Sequence, residues 1–428
     1  MITPREVGLL RRTRIFFITA LFLSGCFLLV PRHARAVSAD AASARARIKL
    51  KFQDYAVSYE DTLLPTPDHL VYEELYERRI NAEHAEKVKK VEECLKFGAS
   101  PKASMLYCYP LLEKKVDEFI KLVDCEPTDS RIRFRPYEAP MFTISKERVG
   151  YKVNEERLYY DVYNALKRGA AADVNVRVDV TEPARTADMW KACTYRRAAF
   201  STGYESSNDN RKHNIKLALS KINGLEVADG AEFSFNQTVG SRTRQNGFVE
   251  AKIIRDGEYV EGTGGGVCQA STTVYNAALR ADMQIVKANS HSLVPSYVPP
   301  SMDAMVNAGS SDFRFKNTSG MPVFIKAYGT DSRIHVEFYG LKMPYKIMTE
   351  SVVISKTMPP PDKIKLDRAF EHVREDMPSG EQVRVSYGIQ GLSSEGYALY
   401  YKDGKLIEKK LIRKDVYKPA AGIIAQRP

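Results

Sequence analysis

The chain of 428 residues contains a single tryptophan, seven histidines and six cysteines, and these scarcities exclude much. No two cysteines stand in CxxC spacing, and His213 and His291 fall in no HExxH pattern. The spacings of a zinc site are absent, and no metal or cofactor is expected. Phosphate-cradling loops are absent too. The densest glycine run, Gly262 to Gly266, has no lysine after it and does not meet GxGxxG, which rules out the P-loop and dinucleotide patterns. A recognition helix, a zinc finger and an aromatic RNA-binding signature are likewise missing. Basic residues are interspersed with acidic ones, so nucleic acid is not an expected partner.

What is present begins with an export pattern. Arg5, Arg11, Arg12 and Arg14 precede an apolar run from Ile15 to Val30, and Ala34-Arg35-Ala36 offers a small-residue cleavage site. Residues 1–36 therefore read as a signal peptide or membrane anchor. Leu23-Ser24-Gly25-Cys26 resembles a lipobox, although Phe27 to Val30 continue the apolar run where a lipoprotein turns polar. Export is expected in each case, to a secreted, lipid-anchored or N-terminally anchored state, with membrane contact only through this segment. The net charge is +11; residues 1–36 hold six arginines and one glutamate, so the remainder carries +6. That excess suits a polyanionic cell wall. Removing Cys26 leaves Cys94, Cys108, Cys125, Cys193 and Cys268, which allows up to two disulfides and one free thiol, assigned to Cys268.

A chain this long predicts several domains. Residues 37–135 read as a helical region: Asp68 to Leu95 carries Leu75, Tyr76, Ile80, Val88 and Val91 in an interrupted stripe, and Leu112, Val116, Phe119 and Val123 define a helix from Leu111 to Val123. Pro101, Pro110 and Pro127 punctuate it. Residues 136–186 form a small α/β unit, with a strand near Met141 to Ser145 and a helix capped by Asn154 and stopped by Gly169. A strand with Val174, Val176, Val178 and Val180 on one face completes it.

The central region predicts a helix from Asn210 to Gly224, a strand from Glu232 to Asn236, and a hairpin over Ala251 to Tyr259 turning at Asp256-Gly257. Gly262-Thr263-Gly264-Gly265-Gly266-Val267-Cys268 then delivers a thiol to the first turn of a helix that runs to about Asp282. Strands follow near Gln284 to Ala288, Asp312 to Lys316, Pro322 to Tyr328 and Arg333 to Tyr339. A helix N-terminus favours negative charge, so a thiol there ionises more readily than a free one.

Phe233-Ser234-Phe235-Asn236, Gly264-Gly265-Gly266-Val267-Cys268-Gln269, Ser271-Thr272-Thr273, Tyr275-Asn276-Ala277, His291-Ser292, Tyr297-Val298-Pro299, Asp303-Ala304 and Phe315-Lys316-Asn317 resemble the VanW family, in that family's order. The chain departs from the family pattern at Ser301-Met302, where glycine and a basic residue are usual. Residues 142–186 resemble the domain assigned to peptidoglycan binding that often precedes VanW. From Thr349 to Ile424 the chain resembles a G5 domain through Ser379-Gly380, Tyr387-Gly388, Gly391, Lys402-Asp403-Gly404-Lys405 and Tyr417-Lys418-Pro419. The family takes its name from a vancomycin-resistance cluster, so the resemblance implies a cell-envelope setting with peptidoglycan or another wall polymer as partner. It implies an α+β multidomain protein: the two N-terminal units, a VanW core over 187–345 and an extended β module over 349–428.

A cysteine at a helix start, followed 23 positions later by a histidine beyond a strand, resembles the papain-like layout of transglutaminase-type and NlpC-type enzymes. That resemblance makes Cys268 a nucleophile, His291 its base and later acid, and Asp303 or Asp312 the residue that orients the imidazole. Backbone N–H groups near Cys268 and the Gln269 amide become oxyanion donors. Gly264, Gly265, Gly266, Ser271, Thr272, Asn276 and Arg211 are the candidate substrate-binding residues. Two readings stay open at this level. One is a Cys-His amidase, peptidase or transpeptidase-like enzyme; the other is a noncatalytic wall-binding module that uses the same polar residues as a groove.

Overall fold

The computed structural model describes residues 47–60, 73–168, 171–255, 258–307 and 309–428. The export segment with Cys26, the start of the first helix at Asp68, the Gly169 helix stop and the Asp256-Gly257 turn lie outside them. Among the described residues no helix is long and apolar enough to cross a membrane. The architecture is α+β.

In the N-terminal part, the strand Arg47–Phe52 pairs antiparallel with Tyr55–Glu60 and parallel with Ala171–Asn175. Helices Glu73–Lys96, Leu112–Val123 and Glu155–Arg168 appear where the apolar periodicity predicts them. Leu112, Val116, Phe119 and Val123 are buried on one face, each contributing about 1.5–3 kcal/mol by burial. Asn154 caps the third of these helices by accepting from the Arg157 N–H at 3.0 Å. A further helix, Pro101–Cys108, was hidden by the reading of Pro101 as a breaker. Ser100 accepts from the Ala103 N–H, and proline sits in the first turn, where its missing donor costs nothing.

One apolar cluster joins Ile48 and Leu50 to Val116 and Phe119 and to Leu158 and Val162. The expected boundary at residue 136 therefore cuts through a shared core, because the strand Ala171–Asn175 returns to pair with Arg47–Phe52. The valine alternation is also two strands in different sheets: Ala171–Asn175 in this one, and Val178–Thr181 paired with Gly150–Val153.

The central part is built on an antiparallel sheet in the order Tyr195–Gly203, Arg333–Gly340, Val323–Gly329, Leu225–Val227. Its inner face buries Ile325, Ile334, Val336 and Phe338 against helices Asp209–Ile222 and Val267–Arg280. A smaller sheet, Glu232–Ser234, Arg314–Lys316 and Gln284–Lys287, closes the other side with Phe233 stacked on Phe315 at 4.8 Å. The expected strand over 232–236 ends at Ser234, whose hydroxyl caps a short helix, Phe235–Val239. On the outer face of the large sheet, Phe142 from the hairpin Ile132–Phe134 and Phe142–Ile144 packs on Phe324 and Tyr339.

The C-terminal part is all β. Strands Lys346–Thr357, Gly391–Lys402 and Lys405–Tyr417 form one antiparallel sheet, and Lys363–Leu366, Ile423–Gln426 and Gln382–Ser386 form a second. Cys94, Cys108, Cys125, Cys193 and Cys268 are all free thiols, so none of the up to two disulfides that their number allows is present among the described residues.

Candidate active site

The glycine loop folds as it does because the protein itself crowds it. Gly264 and Gly266 have φ of 85° and 103°, the left-handed region open to glycine at little cost. A Cβ on Gly265 would stand 2.6 Å from the Ala251 carbonyl oxygen, and one on Gly266 would stand 2.9 Å from Arg211 Cγ. Buried Asn214 fastens the loop by donating to the Gly265 and Val249 carbonyls at 3.0 Å each. The three glycines expected to meet a substrate are packed against the protein's own chain.

Cys268 stands second in the helix Val267–Arg280, after the left-handed Gly266 cap, where backbone N–H groups lack intrahelical acceptors. Its side chain is half-buried, with Sγ 3.2 Å from the Val306 oxygen. His291 acts on the thiol electrostatically, lowering its pKa while the thiol raises that of the imidazole. The His291 ring gives Nδ1 to Asp303 Oδ2 at 2.6 Å, and the His291 backbone N–H donates to the same oxygen at 2.6 Å. Nε2 is thus the nitrogen left for sulfur. His291 is nearly buried and Asp303 is completely so.

Three residues that sequence reasoning kept in play are separated by these contacts. Asp303 is the carboxylate that faces the imidazole. Asp312 instead accepts from the Ser234 hydroxyl at 2.6 Å and the Asn236 N–H at 2.9 Å, far from that role. Gln269 has no donor to spare for an oxyanion: Nε2 donates to Thr202 Oγ1 and to the Gly203 carbonyl, and Oε1 accepts from Arg211 Nη2 at 3.0 Å.

Ser271, Thr272 and Asn276 do not line a groove either. All three are buried, because the helix is packed between the large sheet and the 289–306 loop. Thr272 Oγ1 accepts from the Ala304 N–H at 3.0 Å, and Asn276 Nδ2 donates to the Met302 carbonyl at 2.7 Å. These two side chains pin the Asp303 loop to the Cys268 helix.

Four residues at the site escaped the sequence reading. Arg242, bonded to Asn236, places a cation whose nearest anions are Cys268 and Asp312. Tyr297 is raised by burial and by the nearby charge of Cys268. Arg413 donates to Asp303 through Nη1 to the carbonyl at 2.8 Å and through Nη2 to Oδ1 at 3.0 Å, and the Tyr417 hydroxyl donates to Oδ1 at 2.6 Å. The last two belong to the C-terminal module, more than a hundred residues away in sequence.

The electrostatics favour charge separation. Burial raises the Cys268 thiol, but the hydrogen bond and charge of His291 and the charge of Arg242 outweigh it, and the group lies below its ordinary range. Burial lowers His291, yet Asp303 and Cys268 together raise it to about 9. Burial raises Asp303 and is outweighed by His291, Arg413 and Tyr417, which hold it below the ordinary carboxylate value. The thiol is thus shifted toward ionisation, the imidazole toward protonation and the carboxyl toward ionisation. A shallow cavity of about 320 Å³, lined by Phe200, Ser201, Arg280 and His335, is separate from it.

Residues 210–339 match a family model described as VanW like protein. An uncharacterized Bacillus subtilis protein, YoaR, is 35% identical over 218 residues, which cover 50% of this chain and 70% of the relative. The vancomycin B-type resistance protein VanW of Enterococcus faecalis is 25% identical over 162 residues, covering 36% of this chain and 58% of the relative. Among solved structures, the crystal structure of HP0197-G5 is 17% identical, covering 19% of this chain and 96% of its own with a TM-score of 0.10. An IgA1 protease G5 domain is 12% identical, covering 20% of this chain and 92% of its own with a TM-score of 0.13.

Proposed function

The chain belongs to the VanW family, and from that premise we propose that it is a cell-envelope enzyme that cleaves or transfers amide bonds of peptidoglycan peptides through Cys268. The observation that supports this reading is the His291–Asp303 hydrogen bond of 2.6 Å together with the electrostatic influence of His291 on Cys268, which lowers the thiol. The order of elements, a cysteine at a helix start followed by histidine and a carboxylate, is that of papain-like enzymes.

In the proposed reaction the Cys268 thiolate attacks the substrate carbonyl carbon, and the oxygen takes the negative charge. The Cys268 backbone N–H, at the helix start, is the donor proposed for that oxygen. His291 gives its Nε2 proton to the departing amine as the carbon–nitrogen bond breaks, leaving a thioester. Water or a second amine, deprotonated by His291, then attacks the thioester and releases Cys268 as thiolate. Asp303 stabilises the imidazolium and fixes its tautomer throughout.

The alternative, a wall-binding module without chemistry, draws on the flanking binding-like modules and the net positive charge as well as on a polar groove of Ser271, Thr272, Asn276 and Arg211; only the groove is affected by the packing. Burial of the first three and the engagement of Arg211 with Gln269 weigh against that groove. The test is digestion of purified muropeptides by the wild type and by Cys268→Ala. New products from the wild type alone are expected. Identical digests, with both proteins still sedimenting with insoluble peptidoglycan, would favour the binding module.

A further inference from the structure

Asp303 lies on a loop of the central part, yet three of the five hydrogen bonds it accepts come from elsewhere. The strand Lys405–Tyr417 turns Arg413, Asp415 and Tyr417 to one face, as the two-residue period of a strand requires. Arg413 grips both the main chain and the carboxylate of Asp303 and is itself steadied by Asp415, with Nε to Oδ2 at 2.6 Å. It also lies over the Tyr275 ring at 5.6 Å, which ties it to the Cys268 helix. Tyr417 bonds twice, donating to Asp303 Oδ1 and accepting from the Ser301 N–H at 2.7 Å.

The Ser301 contact has its own logic. Ser301 has φ of 60°, in the left-handed region, at the position where glycine is usual in the resembling pattern. A non-glycine residue there is strained and persists only where its surroundings hold it. The C-terminal module supplies those surroundings. Ser394 Oγ bonds Ser301 Oγ at 2.7 Å, and Gly396 leaves room for the loop, since a Cβ there would stand 2.8 Å from Met302 Cε and 3.0 Å from the Ser301 oxygen.

We infer that the C-terminal module is part of the reactive centre, and that Arg413 and Tyr417 are positioning residues which hold the Asp303 carboxylate in register with His291. The inference rests on the proposed Cys268–His291 reading. Charge at the thiol then depends on a strand of another module. The titratable and charged groups that face this line are Arg242 and Tyr297 at Cys268, and Arg413 and Tyr417 at Asp303, with Asp415 and Tyr275 behind Arg413.

The test needs no substrate. In the full chain, the rate at which iodoacetamide alkylates Cys268 is followed from pH 5 to 10 by mass spectrometry of the Cys268 peptide. Wild type, His291→Ala, Tyr417→Phe and Arg413→Lys are compared, with thermal unfolding as a check on folding. Tyr417→Phe and Arg413→Lys are expected to remain folded and to alkylate roughly tenfold more slowly at pH 6, their profiles displaced toward higher pH. Arg413→Lys retains the charge but loses the two-pronged grip, so it decides the question if Tyr417→Phe does not fold. Wild-type profiles in both variants would overturn the inference while leaving the Cys268–His291 reading intact. A wild type whose profile matches His291→Ala would overturn that reading, and the inference with it.

Discussion

The loops that carry Asp303 and Asp312 lie nine residues apart in sequence and use their carboxylates in different ways. Asp303 is fully buried and bonded to three side chains that are charged or able to relay a proton: His291, Arg413 and Tyr417. Asp312 is half-buried and satisfies a serine hydroxyl and a backbone N–H at the start of a short helix. Asp303 gathers groups from both the VanW core and the C-terminal module; Asp312 stitches its own neighbourhood. Position in sequence did not separate them, because the chemistry of a carboxylate is set by what the fold brings to it.

The largest expected effect separates these two roles. Asp303→Ala strands Arg413 and removes the partner of His291, and should destabilise the protein by about 3–5 kcal/mol in urea unfolding. Its loss should also abolish rapid Cys268 alkylation. Asp312→Ala removes only cap-like hydrogen bonds, so a loss of about 1–2 kcal/mol is expected with the alkylation profile unchanged. Equal effects of the two substitutions on that profile would erase the distinction.

A pH experiment sharpens it further. His291 is raised to about 9 in the folded protein, above its unfolded value. Its contribution to stability is therefore complete below roughly pH 6.5 and is lost as pH rises through about 9, with an upper bound of about 3 kcal/mol. Asp303 is depressed, so its contribution is present above the ordinary carboxylate range and lost on strong acidification. Cys268, held below its ordinary value, contributes in the opposite sense and gains stability as pH rises, so the change in urea midpoint between pH 6 and 10 should be smaller in wild type than His291 alone would give and should differ in His291→Ala. An Asp312→Ala protein should track wild type across the same range.

The smallest effect concerns packing. Gly265→Ala places a methyl against the Ala251 and Lys252 carbonyls, and a loss of about 1–3 kcal/mol is expected from the strand shift it forces. If the variant were instead as stable as wild type, the glycine loop would have slack, and its availability to a ligand would need reconsideration.

Much of the central part was legible. The apolar period gave the helices that end near Ile222 and Arg280, and the glycine run marked the start of the second. Cys268, His291 and Asp303 were legible as candidates through the resemblance of their order to the VanW pattern and to a papain-like layout. The short helix Pro101–Cys108 was not, since a proline reads both as a breaker and as a first-turn residue. Ser271, Thr272 and Asn276 misled for a related reason. Small polar residues early in a helix suit a groove or a buried anchor equally, and only the packing on both sides chose the anchor. Arg413 and Tyr417 were out of reach altogether. They lie in a strand rich in lysine, and although Tyr417 belongs to the G5-like motif, nothing local announces that their face meets a loop 110 or more residues earlier.

The most direct test of the central claim is the pH profile of Cys268 alkylation in wild type against His291→Ala. An ordinary thiol has a midpoint near roughly 8.5. The account predicts a wild-type midpoint well below that value and a marked upward displacement in His291→Ala. A midpoint at or above the ordinary value, unmoved by the loss of His291, would contradict it.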